Sequence, residues 1–112
     1  MWNEPTKERL GTIPKLYETE EIPPQAKDIH LKFFIGSCTW YIAEYDGQDT
    51  FFGFCHLGND LFAEWGLVSF QELKDIKIEG WLEVDCELED HFQIKKSSEI
   101  ELINNCMQFE NQ

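Results

Sequence analysis

From Ile29 to Val68 the hydrophobic period is two, and turn signals cut that stretch into lengths that suit strands. Ile29, Leu31, Phe33 and Ile35 alternate with His30, Lys32 and Phe34, the pattern of a half-buried strand. Gly36-Ser37 turns the chain into a second strand, Cys38 to Tyr45, which is apolar on both parities. Asp46-Gly47-Gln48-Asp49 is a hairpin signal, because Asp-Gly tolerates positive φ. Thr50 to Leu57 reads as the third strand. Gly58-Asn59-Asp60 leads to a fourth, Leu61 to Val68. Alternation returns from Trp81 to Glu89, with Leu82, Val84, Cys86 and Leu88 set against Glu83, Asp85, Glu87 and Glu89. Strands joined by such short turns pair as an antiparallel meander.

Helical signals are short. Asn3-Glu4-Pro5-Thr6 predicts a helix start, with a stop at Gly11. Ser69-Phe70-Gln71-Glu72 is a capping box and predicts a helix to about Ile76, with Phe70, Leu73 and Ile76 on one face. Ser97-Ser98-Glu99 predicts a last helix carrying Ile100 and Ile103. The expected fold is α+β: one domain over residues 1–112, with four to five meander strands and two to three short helices. The central strands carry aromatics on both parities, so both sheet faces need cover. The helices are expected on one face and Ile13, Leu16 and Tyr17 on the other. A second copy of the chain is the alternative cover, leaving monomer and homodimer both open.

Charge narrows the function. Asp and Glu number 22 against 9 Lys and Arg, a net charge of -13. Nucleic-acid binding draws its affinity from cations that neutralise phosphates, so direct binding of nucleic acid is not expected. Anionic membranes and substrates are disfavoured by the same field, and a basic protein partner is favoured. No run approaches the ~20 apolar residues of a membrane span. Met1-Trp2-Asn3-Glu4-Pro5 has no secretory character, so a cytoplasmic setting with reduced Cys38, Cys55, Cys86 and Cys106 is expected.

Two acid groups stand out. Glu83, Asp85, Glu87 and Glu89, extended by Asp90, would lie about 6.7 Å apart on one strand face. That is close to two phosphate rises along one DNA strand, at about 3.4 Å each. With Trp81 as an aromatic anchor, this row is the expected partner-binding site. An outer strand that simply turns its polar face to water is the plainer explanation. The second group is Glu44, Asp46, Asp49 and Glu64 around the hairpin, a candidate for Mg²⁺ or Ca²⁺ and hence for a metal-dependent enzyme. Turn chemistry accounts equally for Asp46 and Asp49. His30, His56 and His91 form no zinc pattern, and Cys55 and His56 are adjacent, which on a strand points them to opposite faces. No nucleophile elbow, phosphate loop or dinucleotide fingerprint occurs. No catalytic residue, metal or cofactor is assigned.

Ile13-Pro14-Lys15-Leu16-Tyr17-Glu18-Thr19-Glu20 opens an ordered set of motifs. His30-x-Lys32-Phe33-Phe34, Trp40-Tyr41-Ile42-x-Glu44, Phe52-Gly53-Phe54, Glu64-Trp65-Gly66 and Ser69-Phe70-Gln71-Glu72-Leu73 follow. Over about residues 10–100 the set resembles an uncharacterised single-domain family common on bacterial plasmids and conjugative elements. The resemblance departs after Gly80, where that family has Glu-Arg-Asp-hydrophobic and this chain has Glu83-Val84-Asp85-Cys86. It implies a mobile-element setting and no particular chemistry. The expected function is that of a small acidic accessory protein acting by protein–protein binding, in its concrete form a nucleic-acid mimic against a basic defence or DNA-processing protein. The alternatives are the metal-dependent enzyme and a structural subunit of a larger assembly.

Overall fold

The computed structural model describes residues 1–108. In chain order the regular elements are α1 (Lys7–Gly11), β1 (Asp28–Ile29), β2 (Leu31–Ile35), β3 (Cys38–Tyr45), β4 (Thr50–Leu57), β5 (Glu64–Ser69) and α2 (Phe70–Asp75). Then come β6 (Lys77–Ile78), β7 (Leu82–Glu83), β8 (Asp85–Cys86), β9 (Lys95–Lys96) and α3 (Glu101–Met107). The expected α+β architecture is present. A five-stranded antiparallel sheet has the order β5-β4-β3-β2-β8, with β1-β9 and β6-β7 as small two-stranded ribbons.

The aromatics on both parities of the central strands are explained by a bulge. Ile42 pairs with Gly53 and Glu44 with Phe52, so Ala43 is the extra residue. Trp40, Ile42 and Tyr45 therefore share one face with Phe51, while Tyr41 and Ala43 share the other with Phe54. Gly53 fits the bulge closely, since a Cβ there would lie 2.1 Å from the Tyr41 carbonyl oxygen. A second parity break falls at His30. Leu31, Phe33 and Ile35 belong to the first face, but Ile29 belongs to the second and leaves the main sheet to pair with Lys95.

The covers differ from the expectation. Ile13 joins Phe70 and Leu73 of α2 on the first face, with Val84 and Cys86. Tyr17 is exposed. The second face is closed by the C-terminal segment through Ile100, Ile103 and Phe92. Phe33, Phe51 and Phe54 are fully buried, and each such burial contributes about 1.5–3 kcal/mol.

Four boundaries shift for local reasons. Thr6, not Asn3, caps α1, its hydroxyl accepting from the Arg9 amide at 3.1 Å. The fourth strand starts at Glu64, because Asp60–Phe62 form a 3₁₀ turn that leaves Leu61 and Phe62 exposed. The segment expected as one strand from Trp81 to Glu89 is two short strands with different partners, followed by a 3₁₀ turn at Glu89–His91. The last helix begins at Glu101, after a 3₁₀ turn over Ser97–Glu99. The final residues of the tail, 109–112, lie outside the described ones. All four cysteines are free. No helix among the described residues is long and apolar enough to cross a membrane.

Candidate protein-binding edge

Beyond β8 the backbone of Trp2 continues the sheet. Its amide donates to the Val84 carbonyl at 2.9 Å, and its carbonyl accepts from the Cys86 amide at 3.1 Å. This places Trp2 over Trp81, with ring centroids 6.4 Å apart and planes 29° from parallel. Both rings are exposed, Trp81 at 62%. Sequence patterning singles out Trp81 and misses Trp2, because nothing local says that an N-terminal residue returns to a strand eighty positions on.

The acid row sits around this pair. Val84 and Cys86 are buried and Glu83, Asp85 and Glu87 half-buried, so burial alternates from 83 to 87. It ends at Leu88, which is exposed where the pattern predicts burial. Even strand spacing therefore does not extend to Glu89 and Asp90. The Glu83 carboxylate takes the Met1 ammonium and lies 3.7 Å from Lys77 Nζ. The hydrogen bond from that ammonium holds its carboxyl below the usual range, with the Met1 and Lys77 charges adding to it. Asp85 accepts from Asn3 Nδ2 at 2.9 Å. Glu87 donates its amide to the Lys32 carbonyl, and its own carbonyl accepts from Arg9 Nη1, both at 2.9 Å. Glu89 and Asp90 are exposed and line a groove of about 370 Å³ with Asn3, Glu4, Leu88 and one cation, Arg9. Among the described residues, Glu4, Glu89 and Asp90 have no ion-pair partner.

The hairpin carboxylates do not converge as a metal centre would require. Glu44 is buried: Oε1 accepts from the Tyr17 amide at 2.9 Å, and Oε2 from the Thr19 amide at 3.1 Å and the Thr19 hydroxyl. Lys27, also buried, donates to Thr19 Oγ1 at 3.0 Å. Glu44 thus clamps the Tyr17–Thr19 loop to the sheet, holding Tyr17 at a positive φ of 68°. Asp46 Oδ1 accepts from the amides of Gln48, Asp49 and Thr50. Asp49 accepts from the Ser69 hydroxyl and the Gln71 amide. Glu64 is exposed at the start of β5. These are turn, cap and clamp bonds rather than a shared ligand shell.

Among the described residues, one ligand-type group is assembled: His56, Asp60 and Cys106. His56 Nε2 lies 2.6 Å from Asp60 Oδ1, while Nδ1 accepts from the Gly58 amide at 3.3 Å. Since Nδ1 is an acceptor, the ring proton sits on Nε2 and points at Asp60. A metal on Nε2 would have to displace that proton and break the Gly58 contact, so the group is a turn lock. The hydrogen bond from His56 lowers the Asp60 pKa, and burial raises that of Cys106, reinforced by Asp60. The turn Gly58-Asn59 brings His56 and Asp60 together, whereas nothing in the sequence announces Cys106.

Residues 18–102 match a family described as proteins of unknown function, DUF2958. The chain belongs to the DUF2958 family. No curated protein matches it, and no solved structure does. The DUF2958 match spans β1 to β9 and the first residues of α3, so both sheet faces and the acid row lie inside it. Trp2, α1 and the Ile13–Tyr17 opening lie before it.

Proposed function

We propose that this DUF2958 protein is a non-enzymatic binding module whose N-terminal sheet edge docks on a basic protein. One observation carries the reading: the exposed Trp2–Trp81 pair stands beside Glu83 and Asp85. Interface hot spots are enriched in Trp and Arg. An arginine laid on an indole face gains cation–π attraction and can reach a flanking carboxylate with its planar fork. Along the neighbouring groove the open acids Glu4, Glu89 and Asp90 outnumber the one cation, Arg9.

In its concrete form the partner is a nucleic-acid-binding protein, and this chain competes with DNA or RNA for its basic surface. The phosphate-like spacing would act through Glu83, Asp85 and Glu87, with Glu89 and Asp90 supplying charge from the turn. An accessory role for a plasmid or conjugative element rests on the motif resemblance. Such a role would suit inhibition of a defence protein or control of DNA processing.

The test is capture on the immobilised protein, eluted with rising salt and, separately, with duplex DNA. Basic proteins released by DNA, and no longer retained by Trp81→Ala or by Glu89→Lys/Asp90→Lys, are the expected result. Retention indifferent to salt, to DNA and to both variants rejects the reading.

A further inference from the structure

The two edges of the five-stranded sheet are finished differently. At β8 the Trp2 backbone continues the ladder. At the other edge, among the described residues, β5 pairs with β4 alone. Backbone parity identifies the groups this leaves open. The Asp46 amide donates to the Thr50 carbonyl at 2.9 Å, and the Phe70 amide to the Asp49 carbonyl at 2.7 Å. Alternate residues of a strand direct their amide and carbonyl to opposite sides. Thr50 therefore bonds towards β3, and Phe51, Gly53 and Cys55 bond towards β5. Their partners are Val68, Gly66 and Glu64, so Trp65 and Leu67 point their amides and carbonyls away from the sheet. Among the described residues, none of these outward groups has a backbone partner.

Edge strands are commonly blunted by lysine, proline or a bulge. β5 has none of these: its register with β4 is unbroken, and Glu64 at its start is its single charge. Gly66 has nothing within 4 Å of where a Cβ would stand. The side chains beside the edge form a receptor. Glu44, Phe52 and Leu67 stand opposite one another across β3, β4 and β5. Tyr17, Glu20 and Lys27 join them around a pocket of about 210 Å³. Exposure along that row rises from the buried Glu44 through the half-buried Phe52 to Leu67 at 58%, so the pocket opens towards the edge.

We infer that β5 takes an extended, basic segment of a partner protein as a sixth strand, with one apolar side chain of that segment seated against Leu67 and Phe52. The outward groups of Trp65 and Leu67 supply the ladder and the pocket supplies the choice of side chain, as strand addition divides affinity from specificity. Charge selects the occupant. From Asp60 to Asp75 the chain has the acids Asp60, Glu64, Glu72 and Asp75 against the one cation Lys74. In the pocket, Lys27 and Glu44 are both buried and both bond to Thr19, so their charges offset each other, while Glu20 is exposed. A second copy would bring its own -13 against these acids, whereas a basic strand meets them with opposite sign. This edge lies across the sheet from the Trp2–Trp81 pair, so the inference stands apart from that docking site.

Amide hydrogen exchange followed by NMR on the full chain tests the edge, with a short peptide of alternating lysine and valine as the probe. In the free protein the Trp65 and Leu67 amides should exchange freely at every protein concentration. The peptide should slow both about tenfold or more, in Trp81→Ala as in the wild type. Leu67→Lys and Glu20→Lys/Glu64→Lys should each abolish the slowing. All three side chains are exposed, so these variants keep the fold. Slow exchange in the free chain would mean that the edge is already covered. Slowing with protein concentration alone would assign a second copy, and equal slowing by a peptide of alternating glutamate and valine would remove the basic occupant. Each of these outcomes overturns the inference, as does slowing that survives the variants or no slowing at millimolar peptide.

Discussion

Trp2 and Trp81 stack at 6.4 Å because the Trp2 backbone bonds to Val84 and Cys86 on the outer strand. The aromatic pair is thus a tertiary object. It joins the start of the chain to the turn that follows Gly80, and carries Met1 and Asn3 onto Glu83 and Asp85.

Trp81→Ala tests whether that pair serves folding or recognition. Exposed aromatic pairs add about 0.5–1.5 kcal/mol, so urea denaturation should show only a loss of that order. A much larger loss would make the stack a folding element and weaken the case for a docking site.

Gly53→Ala should be far more damaging than its position on an ordinary strand suggests. The new Cβ would meet the Tyr41 carbonyl oxygen at 2.1 Å, and that oxygen is held by the bulge. Overpacking against backbone costs about 1–3 kcal/mol or more. Gly66, which pairs with Gly53 on the next strand, has nothing within 4 Å and is the control. Thermal melts should show a large drop for Gly53→Ala and little change for Gly66→Ala.

Glu44→Ala should lower stability by about 2–4 kcal/mol, because it strips the Tyr17 and Thr19 amides of a buried charged acceptor. Hydrogen exchange would localise the effect to the Tyr17–Thr19 loop. Unchanged protection there would refute the clamp.

Asp46 sets an acid limit on the β3–β4 hairpin. Backbone amides, Gln48 first and then Thr50 and Asp49, hold its carboxyl below the ordinary 3.8. A depressed carboxyl stabilises the fold above its unfolded pKa, and that stabilisation is lost as pH falls through the folded value. The wild-type melting temperature should therefore fall more steeply than that of Asp46→Asn as pH drops below about 4. Parallel curves would show that the turn does not depend on the ionised carboxylate.

Thiol chemistry should be quiet. Burial pushes the Cys55 and Cys86 thiols each up to about 11, and for Cys86 the nearby Arg9 only partly offsets it. A disulfide reagent at pH 8 should leave both unmodified in the native protein and label them once urea unfolds it. Rapid native labelling of Cys86 would contradict its burial in the core beside Phe33.

Much of the meander was legible because period-two alternation and turn residues act within a few positions of each other. Asp46-Gly47 marks the hairpin that forms, and Ser69 caps the helix that follows it. The stretch Leu61-Phe62 misled for the same reason, since apolar residues imply a strand only if a neighbour pairs with them. Asn59 instead caps a 3₁₀ turn there, its side chain accepting from the Leu61 amide at 2.9 Å. The acid row was legible as alternation from 83 to 87, but its ending was not. The outer strand follows β2 through the Phe33–Cys86 pair and the bond from the Glu87 amide to the Lys32 carbonyl, and the chain then leaves the sheet for the turn at Glu89–His91.

By itself the sequence determined the charge sign, the strand periods and the turns, because these depend on side-chain chemistry and on backbone preferences of adjacent residues. Tertiary structure alone decided which carboxylates stay open, which indole joins Trp81, and that Glu44, Phe52 and Leu67 share a pocket. Those outcomes depend on distances between segments far apart in the chain, and such distances arise only when the two sheet faces are packed.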